Sequence, residues 1–227
     1  MIKIGITERG DAALDQSWRK ANMLGMILIT KAPHKIGVLP DNAILHCTIT
    51  GYGGTIIEPG VAPALVTLEA YKNLVNTYGS ERIVLRVDPI IPTLKGIQTA
   101  KEIISHQQGR VRISFLDAYS HVRERFEKLG LQLPWTGIHA PLEIRQQAVE
   151  RIKQEVLFRD DLEICGEPGL DCTGCISQRD MQALGLICKL SGKCTQRTSC
   201  ACVAEKTELL SNPHRCAHNC LYCYWKD

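Results

Sequence analysis

Short runs of β-branched and aliphatic residues, each followed by an amphipathic stretch, constrain this chain more than any other feature. The runs cover residues 2–7, 26–30, 43–49, 82–87, 111–115 and 162–165. Their near-continuous apolar character is that of strands covered on both faces, as a parallel sheet requires. Helical faces fall between them. Leu68, Tyr71, Val75 and Tyr78 share one face that stops at Gly79, and Val122, Phe126 and Leu129 do the same before Gly130. Ile144, Ala148, Ile152 and Val156 form a third stripe after Pro141, a residue suited to a first helical position. Repeated strand–helix units predict an α/β fold with right-handed crossovers, a partial parallel (β/α) barrel of six or seven strands in one domain over 1–227.

The 227 residues suffice for a full core, and 44% hydrophobic with 22% charged residues is an ordinary globular composition. A net charge of +3 is too mild to imply nucleic acid or a membrane as an obligatory partner. No apolar run approaches the roughly 18 residues of a spanning helix. The opening MIKIGITERG passes directly into a strand pattern, with no leader-like apolar stretch, so a cytoplasmic setting is expected.

Parallel barrels build their sites from the loops that follow the strands. Here those loops read TERGD, TKAPH, TITGYGGT, RVDPIIP, FLDAY and CGEP. They bring forward Glu8, Arg9, Asp11, Lys31, His34, Asp88, Asp117 and Glu167, of which Lys31, Asp88, Asp117 and Glu167 are the catalytic candidates. Singly, each is also the kind of charge that marks a strand emerging into water. Six such loops in succession point to a shared mouth.

From residue 165 the texture changes. Ten of the eleven cysteines fall between 165 and 223. The odd count without a leader argues against a disulfide framework and for thiols that bind metal. The chain thus divides into barrel units (1–164), a cysteine-rich region (165–205) and a final strand with a loop (206–227). A helix is predicted from 178 to about 188 with Ser177 as N-cap and Asp180 completing a capping box, and a last strand over 207–211. Cys216, Cys220 and Cys223 are spaced Cys-x3-Cys-x2-Cys. Four thiolates would saturate an iron–sulfur cubane, whereas three leave one iron open to another ligand. Four of Cys165, Cys172, Cys175, Cys200 and Cys202 fit either an auxiliary [4Fe-4S] cluster or a structural zinc. Cys188 and Cys47 read as core residues.

The terminal stretch CAHNCLYCYW, with Tyr222 before the third cysteine, resembles the cluster loop of the radical S-adenosylmethionine superfamily, in the form of its spore photoproduct lyase-like branch. TERGD, ILITKAP, TITGYGGTIIEPGVAP and RVDPIIP are similar to later segments of that pattern and keep their order. The superfamily normally carries the loop after its first strand, so the resemblance implies a circular permutation that moves this strand (TELLSN) to the end. Across essentially the whole chain the pattern is similar to an uncharacterised family of permuted radical enzymes. It implies a [4Fe-4S] cluster, S-adenosyl-L-methionine, and a 5′-deoxyadenosyl radical that abstracts hydrogen from an unknown substrate, a nucleobase or nucleic acid among the candidates. A low-potential donor such as flavodoxin or ferredoxin would supply electrons. By the same resemblance Tyr222 lies near the adenine, Thr48 and Thr50 approach the ribose, and Glu8 meets the methionine amino group. Gly51 and Gly53 permit close backbone approach to a ligand, although a tight turn explains them equally. His218 inside the loop could donate to a sulfide or to the nucleotide, and an exposed loop histidine is the alternative reading. Two rivals use the same cysteines without radical chemistry. One is a zinc-stabilised nucleic-acid-binding module using Lys189, Lys193 and Arg197, and the other an electron-transfer or iron-sensing protein.

Overall fold

Seven short strands run parallel in one sheet: β1 (Ile4–Ile6), β2 (Gly25–Thr30), β3 (Ala43–Thr48), β4 (Ile83–Ile90), β5 (Val111–Phe115), β6 (Leu162–Ile164) and β7 (Lys206–Glu208). The computed structural model describes residues 3–156, 161–186, 201–202, 206–210 and 214–226. The spatial order is β6-β5-β4-β3-β2-β1-β7, which curves into a half-barrel. Each strand up to β6 is laid beside its predecessor in one direction. The last strand then returns to the free edge of β1, with Ile4 opposite Lys206 and Ile6 opposite Glu208.

Alternation along the strands separates two faces. Ala43, Leu45 and Cys47 of β3, Ile83, Leu85 and Val87 of β4, and Val111, Ile113 and Phe115 of β5 face the helix layer. There they meet Leu68, Tyr71 and Val75 of α1 (Ala64–Tyr78), Ile97, Ala100 and Ile104 of α2 (Leu94–Ile104), and Ala148 and Ile152 of α4 (Leu142–Lys153). Removing each of the Val, Leu, Ile and Phe side chains among them from water contributes about 1.5–3 kcal/mol. Cys47 belongs to this core as expected, and burial pushes its thiol far up. Helix α1 ends at Gly79, whose positive φ of 86° suits a residue without a Cβ.

The inner face is not purely apolar. Ile4, Ile6, Ile27 and Ile44 line it together with Cys175, Ile176, Met181 and Cys202 from the cysteine-rich region. Among them lies a buried ionic group. Arg110 reaches Glu163 at 2.9 Å and Asp180 at 2.7 Å, and Arg112 reaches Glu163 at 2.7 Å. Arg112 also donates to the Cys175 carbonyl and contacts His46 Nε2 at 3.2 Å. A guanidinium cannot accept, so His46 accepts there and carries its proton on Nδ1, which finds no partner. Burial first, then Arg112, holds this histidine neutral. Asp180 also completes the predicted capping box of α5 (Gln178–Ala183), so one carboxylate caps a helix and ties it to Arg110 just before β5.

Several boundaries differ from expectation. Strand β4 continues through Asp88 and Pro89 to Ile90. Helix α2 has no counterpart in the sequence reading, although Thr93 caps it by accepting from the Gly96 amide at 3.1 Å. Helix α5 stops at Ala183, before a left-handed Gly185, instead of near 188. Leu129 lies just beyond α3 (Ser120–Lys128) and is 44% exposed, so that helix buries Val122 and Phe126 without it. Ile144 is likewise at the surface, and Pro141 is the residue before the first helical position. Cys188, Cys194, Cys200, Lys189, Lys193 and Arg197 lie outside the described residues. Among those residues no helix is long and apolar enough to cross a membrane.

Candidate functional site

A cavity of about 260 Å³ opens where the strands end, close to the lower limit of small-molecule sites. Of the predicted residues, Glu8, Lys31, Thr48, Asp88, Asp117, Glu167 and Tyr222 line it, together with Cys216, Cys220, Cys223 and Cys165. Thr50, Gly51 and Gly53 are not in its walls. The Thr50 hydroxyl accepts from the Tyr52 amide at 3.2 Å. A Cβ on Gly51 would lie 2.4 Å from Thr99 Cγ2, and one on Gly53 would lie 2.1 Å from the Ala62 carbonyl oxygen. Both glycines are accounted for by turn and helix packing. His34 sits exposed on the short turn Pro33–Lys35.

The three-cysteine loop is seated by contacts from three other parts of the chain. His218 is buried between two acceptors: Nε2 donates to Asp11 Oδ2 at 2.8 Å, and Nδ1 to the Gly60 carbonyl at 3.1 Å. A carboxylate and a carbonyl can only accept, so both ring nitrogens carry protons and the ring is an imidazolium. Burial, the largest single influence, pulls its pKa down, but the hydrogen bond and charge of Asp11 and the Gly60 carbonyl together raise it. Asp11 resists burial in the same way and is held below its usual range by His218, Thr30 and the Lys31 amide. The expected role of His218 as donor to a sulfide or nucleotide is therefore corrected. Its ring is committed to Asp11 and Gly60, and its backbone amide bonds the Cys216 thiol. Gly60 also donates its amide to the His218 carbonyl at 3.0 Å, and a Cβ there would strike the Ala217 oxygen at 2.3 Å. No sequence signal marked Gly60 or Asp11 as seats for the loop.

Leu221 and Tyr222 pack against the cluster around Val122, Phe126 and Trp135, and the Leu221 amide donates to the Ile57 carbonyl at 3.0 Å. Arg125 on α3 donates to the carbonyls of Cys223 and Trp225, each at 2.6 Å, and more distantly to that of Leu221 at 3.4 Å. Glu58, itself buried, accepts from the Tyr222 hydroxyl and from Lys31 Nζ at 2.9 Å. Lys31 lies 5.1 Å from the Tyr222 ring centre. Burial works against its charge, but Glu58 and the nearby Cys220 raise its pKa.

Most carboxylates of the wall are already engaged. Glu8 pairs with Lys206 of β7 at the edge of the cavity. Arg86 pairs with Asp88, which also accepts from Ser114 at 2.5 Å. Asp117 contacts His139 at 2.8 Å. Glu167 accepts from the Phe115 amide at 2.7 Å and from Arg145 at 3.0 Å. Burial, the largest influence, pushes the Glu167 carboxyl up to about 7, so it can exchange a proton near neutrality. Thr48 is buried in the wall with a hydroxyl that has no partner.

Below this cavity the second cysteine group comes together. Cys165 and Cys175 approach to 3.1 Å between sulfurs, the Cys175 amide donates to the Cys202 thiol at 3.1 Å, and the Cys172 thiol contacts the Glu167 backbone at 3.2 Å. The eight described cysteines are free thiols. Among the described residues, no three His, Cys, Asp or Glu side chains close on one point as around a single metal ion. A cubane spreads its ligands more widely. Three free thiols on one loop, facing one cavity beside an unpartnered hydroxyl, fit the donor set of such a cluster.

No curated protein matches the sequence. A family model described as a domain of unknown function, DUF1848, matches residues 18–225, and the chain belongs to that family.

Proposed function

We propose that this protein is a radical S-adenosylmethionine enzyme with a circularly permuted half-barrel. In this reading Cys216, Cys220 and Cys223 hold a [4Fe-4S] cluster with one open iron. The observation that carries it is the convergence of these three free thiols on the cavity at the strand ends. The permutation is supported by β7, last in sequence yet paired in parallel with β1, so the cysteine loop follows the strand that is spatially first.

If held there with S-adenosylmethionine, a reduced [4Fe-4S] cluster would supply one electron to split the sulfonium S–C5′ bond into methionine and a 5′-deoxyadenosyl radical able to abstract hydrogen. The chain's own residues orient and shelter that chemistry. Tyr222, held by Glu58, presents a flat wall for the adenine, and the Thr48 hydroxyl awaits a polar group. Burial pushes the Cys220 thiol up to about 12, and the positive charge of Lys31 beside it works against that rise. Glu167 is the wall residue suited to hold or release a proton near pH 7. Four of Cys165, Cys172, Cys175, Cys200 and Cys202 would hold a second cluster or a zinc ion, and Cys165, Cys175 and Cys202 lie close together. A flavodoxin- or ferredoxin-type protein would deliver the electron, and the substrate is tested from the nucleoside class outward.

Anaerobic reconstitution tests the reading. Two cubanes give about eight irons per chain, and Cys220→Ala leaves about half of them. The reduced wild type releases 5′-deoxyadenosine from S-adenosylmethionine, and Cys220→Ala does not. A chain that takes up zinc and no iron refutes the proposal. Nucleosides and oligonucleotides that leave the 5′-deoxyadenosine yield unchanged remove that substrate class.

A further inference from the structure

Arg125 projects from α3 into the terminal loop and is only 7% exposed. Its guanidinium gathers the carbonyls of Cys223 and Trp225 at 2.6 Å each and that of Leu221 at 3.4 Å. His121, one turn earlier on the same helix, contacts the Tyr224 carbonyl at 2.9 Å. The peptide bonds after Leu221 and Cys223 are trans, so the next N–H in each unit points opposite to its carbonyl. With the Leu221 and Cys223 carbonyls turned to Arg125, the amides of Tyr222 and Tyr224 point away from it. Among the described residues neither amide has an acceptor, whereas those of Leu221 and Cys223 bond the carbonyls of Ile57 and Cys220. Tyr222 is half-buried and Tyr224 is 39% exposed, so each amide is open to water or to an acceptor bound beside the loop.

We propose that Arg125 is a positioning residue that turns the backbone of the three-cysteine loop so that the Tyr222 and Tyr224 amides face the electron-rich group held by the thiols. This rests on the reading of the loop as a cluster site. Donors aimed at a cluster favour its more negative, reduced form and raise its potential. Arg125 thereby acts on the cluster through the backbone. The planar guanidinium serves several carbonyls at once, which an ammonium at the same position does less well.

The test compares full-length wild type, Arg125→Lys and Arg125→Ala after anaerobic reconstitution, each with Cys165→Ala and Cys175→Ala added so that the terminal loop's cluster is read alone. Iron content, the electron paramagnetic resonance spectrum and the midpoint potential are measured. The expected result is a potential that falls in the order wild type, Lys, Ala. For Arg125→Ala the reduced-to-oxidised ratio at a fixed poise drops about tenfold or more, equivalent to about 59 mV for a one-electron couple. Failure of Arg125→Ala alone to load iron, with its melting temperature unchanged, also supports the proposal. If Arg125→Ala does not fold, Arg125→Lys decides alone. Variants that load iron with wild-type spectra and potentials overturn the proposal. A wild type that takes no iron overturns the cluster reading instead, so the two failures are distinct.

Discussion

Replacing Asp11 by asparagine separates charge from shape at the point where the terminal loop docks. The Asp11 carboxylate, 4% exposed, accepts from Ala13, Leu14, Thr30, Lys31 and His218 at 2.6–3.3 Å. Asparagine keeps the volume, yet one acceptor oxygen becomes an NH2 group that must face donors already present. In either flip state two N–H groups are opposed, and the His218 imidazolium loses its counter-charge. Breaking a buried pair from one side costs about 3–5 kcal/mol. For a chain of this size each kcal/mol moves the melting temperature by about 2–4 °C, which gives a fall of about 6–20 °C. The assay is thermal unfolding followed by circular dichroism at neutral pH, with matched metal content, on Asp11→Asn, His218→Ala and the double variant. Because both single changes break one interaction, the double variant should be no more than about 1 kcal/mol worse than the worse single. The pH dependence has a definite sign. Asp11, depressed, contributes stability that is lost as pH falls through its lowered folded pKa; His218, raised, contributes stability that is lost as pH rises through its folded pKa above 6.5. The gap between wild type and double variant is therefore widest from about pH 4 to 6.5. Strict additivity of the two single effects, or a fall below about 3 °C for Asp11→Asn, refutes the reasoning.

Gly60→Ala places a methyl 2.3 Å from the Ala217 oxygen and 2.8 Å from His218 Cα, both backbone, so the loop must retreat. A loss of about 1–3 kcal/mol in denaturant unfolding is expected, with lower iron retention than wild type after desalting. Glu163→Gln leaves Arg110 and Arg112 with Asp180 as their remaining carboxylate in the barrel interior, and a destabilisation of about 3–5 kcal/mol is expected from the urea midpoint. Cys47, fully buried with its thiol far from ionising, should resist alkylation in the folded, cluster-free protein, while the half-buried Cys216 and Cys223 react. Peptide mass spectrometry after brief exposure to iodoacetamide reads the difference.

Much of the scaffold was legible because local chemistry and tertiary demand agree. Val111–Phe115 is a strand with the expected bounds, since its β-branched and aromatic residues and its place in the sheet call for the same conformation. Gly79 ends α1 as expected because a left-handed position favours a residue without a Cβ. Agreement fails where the two diverge. Helix α2 escaped notice because Gly96 sits in its first turn, a poor helix former kept there because a Cβ would strike the Ile91 carbonyl at 2.0 Å. Arg112 in β5 departs from the near-continuous apolar character of the strands, and it is fully buried because Glu163 and Asp180, 51 and 68 residues later, come to meet it.

The candidate site divides along the same line. The spacing of Cys216, Cys220 and Cys223 is a property of the sequence, because ligands on one short loop need no distant partner to be brought within reach of one another. Which cavity they face, what charge His218 carries and which residues hold the loop in place were decided only by folding. Asp11, Gly60 and Arg125 lie from 91 to 212 positions away from the cysteines they serve, and no local pattern encodes a contact that exists only after seven parallel strands have brought their ends to one mouth.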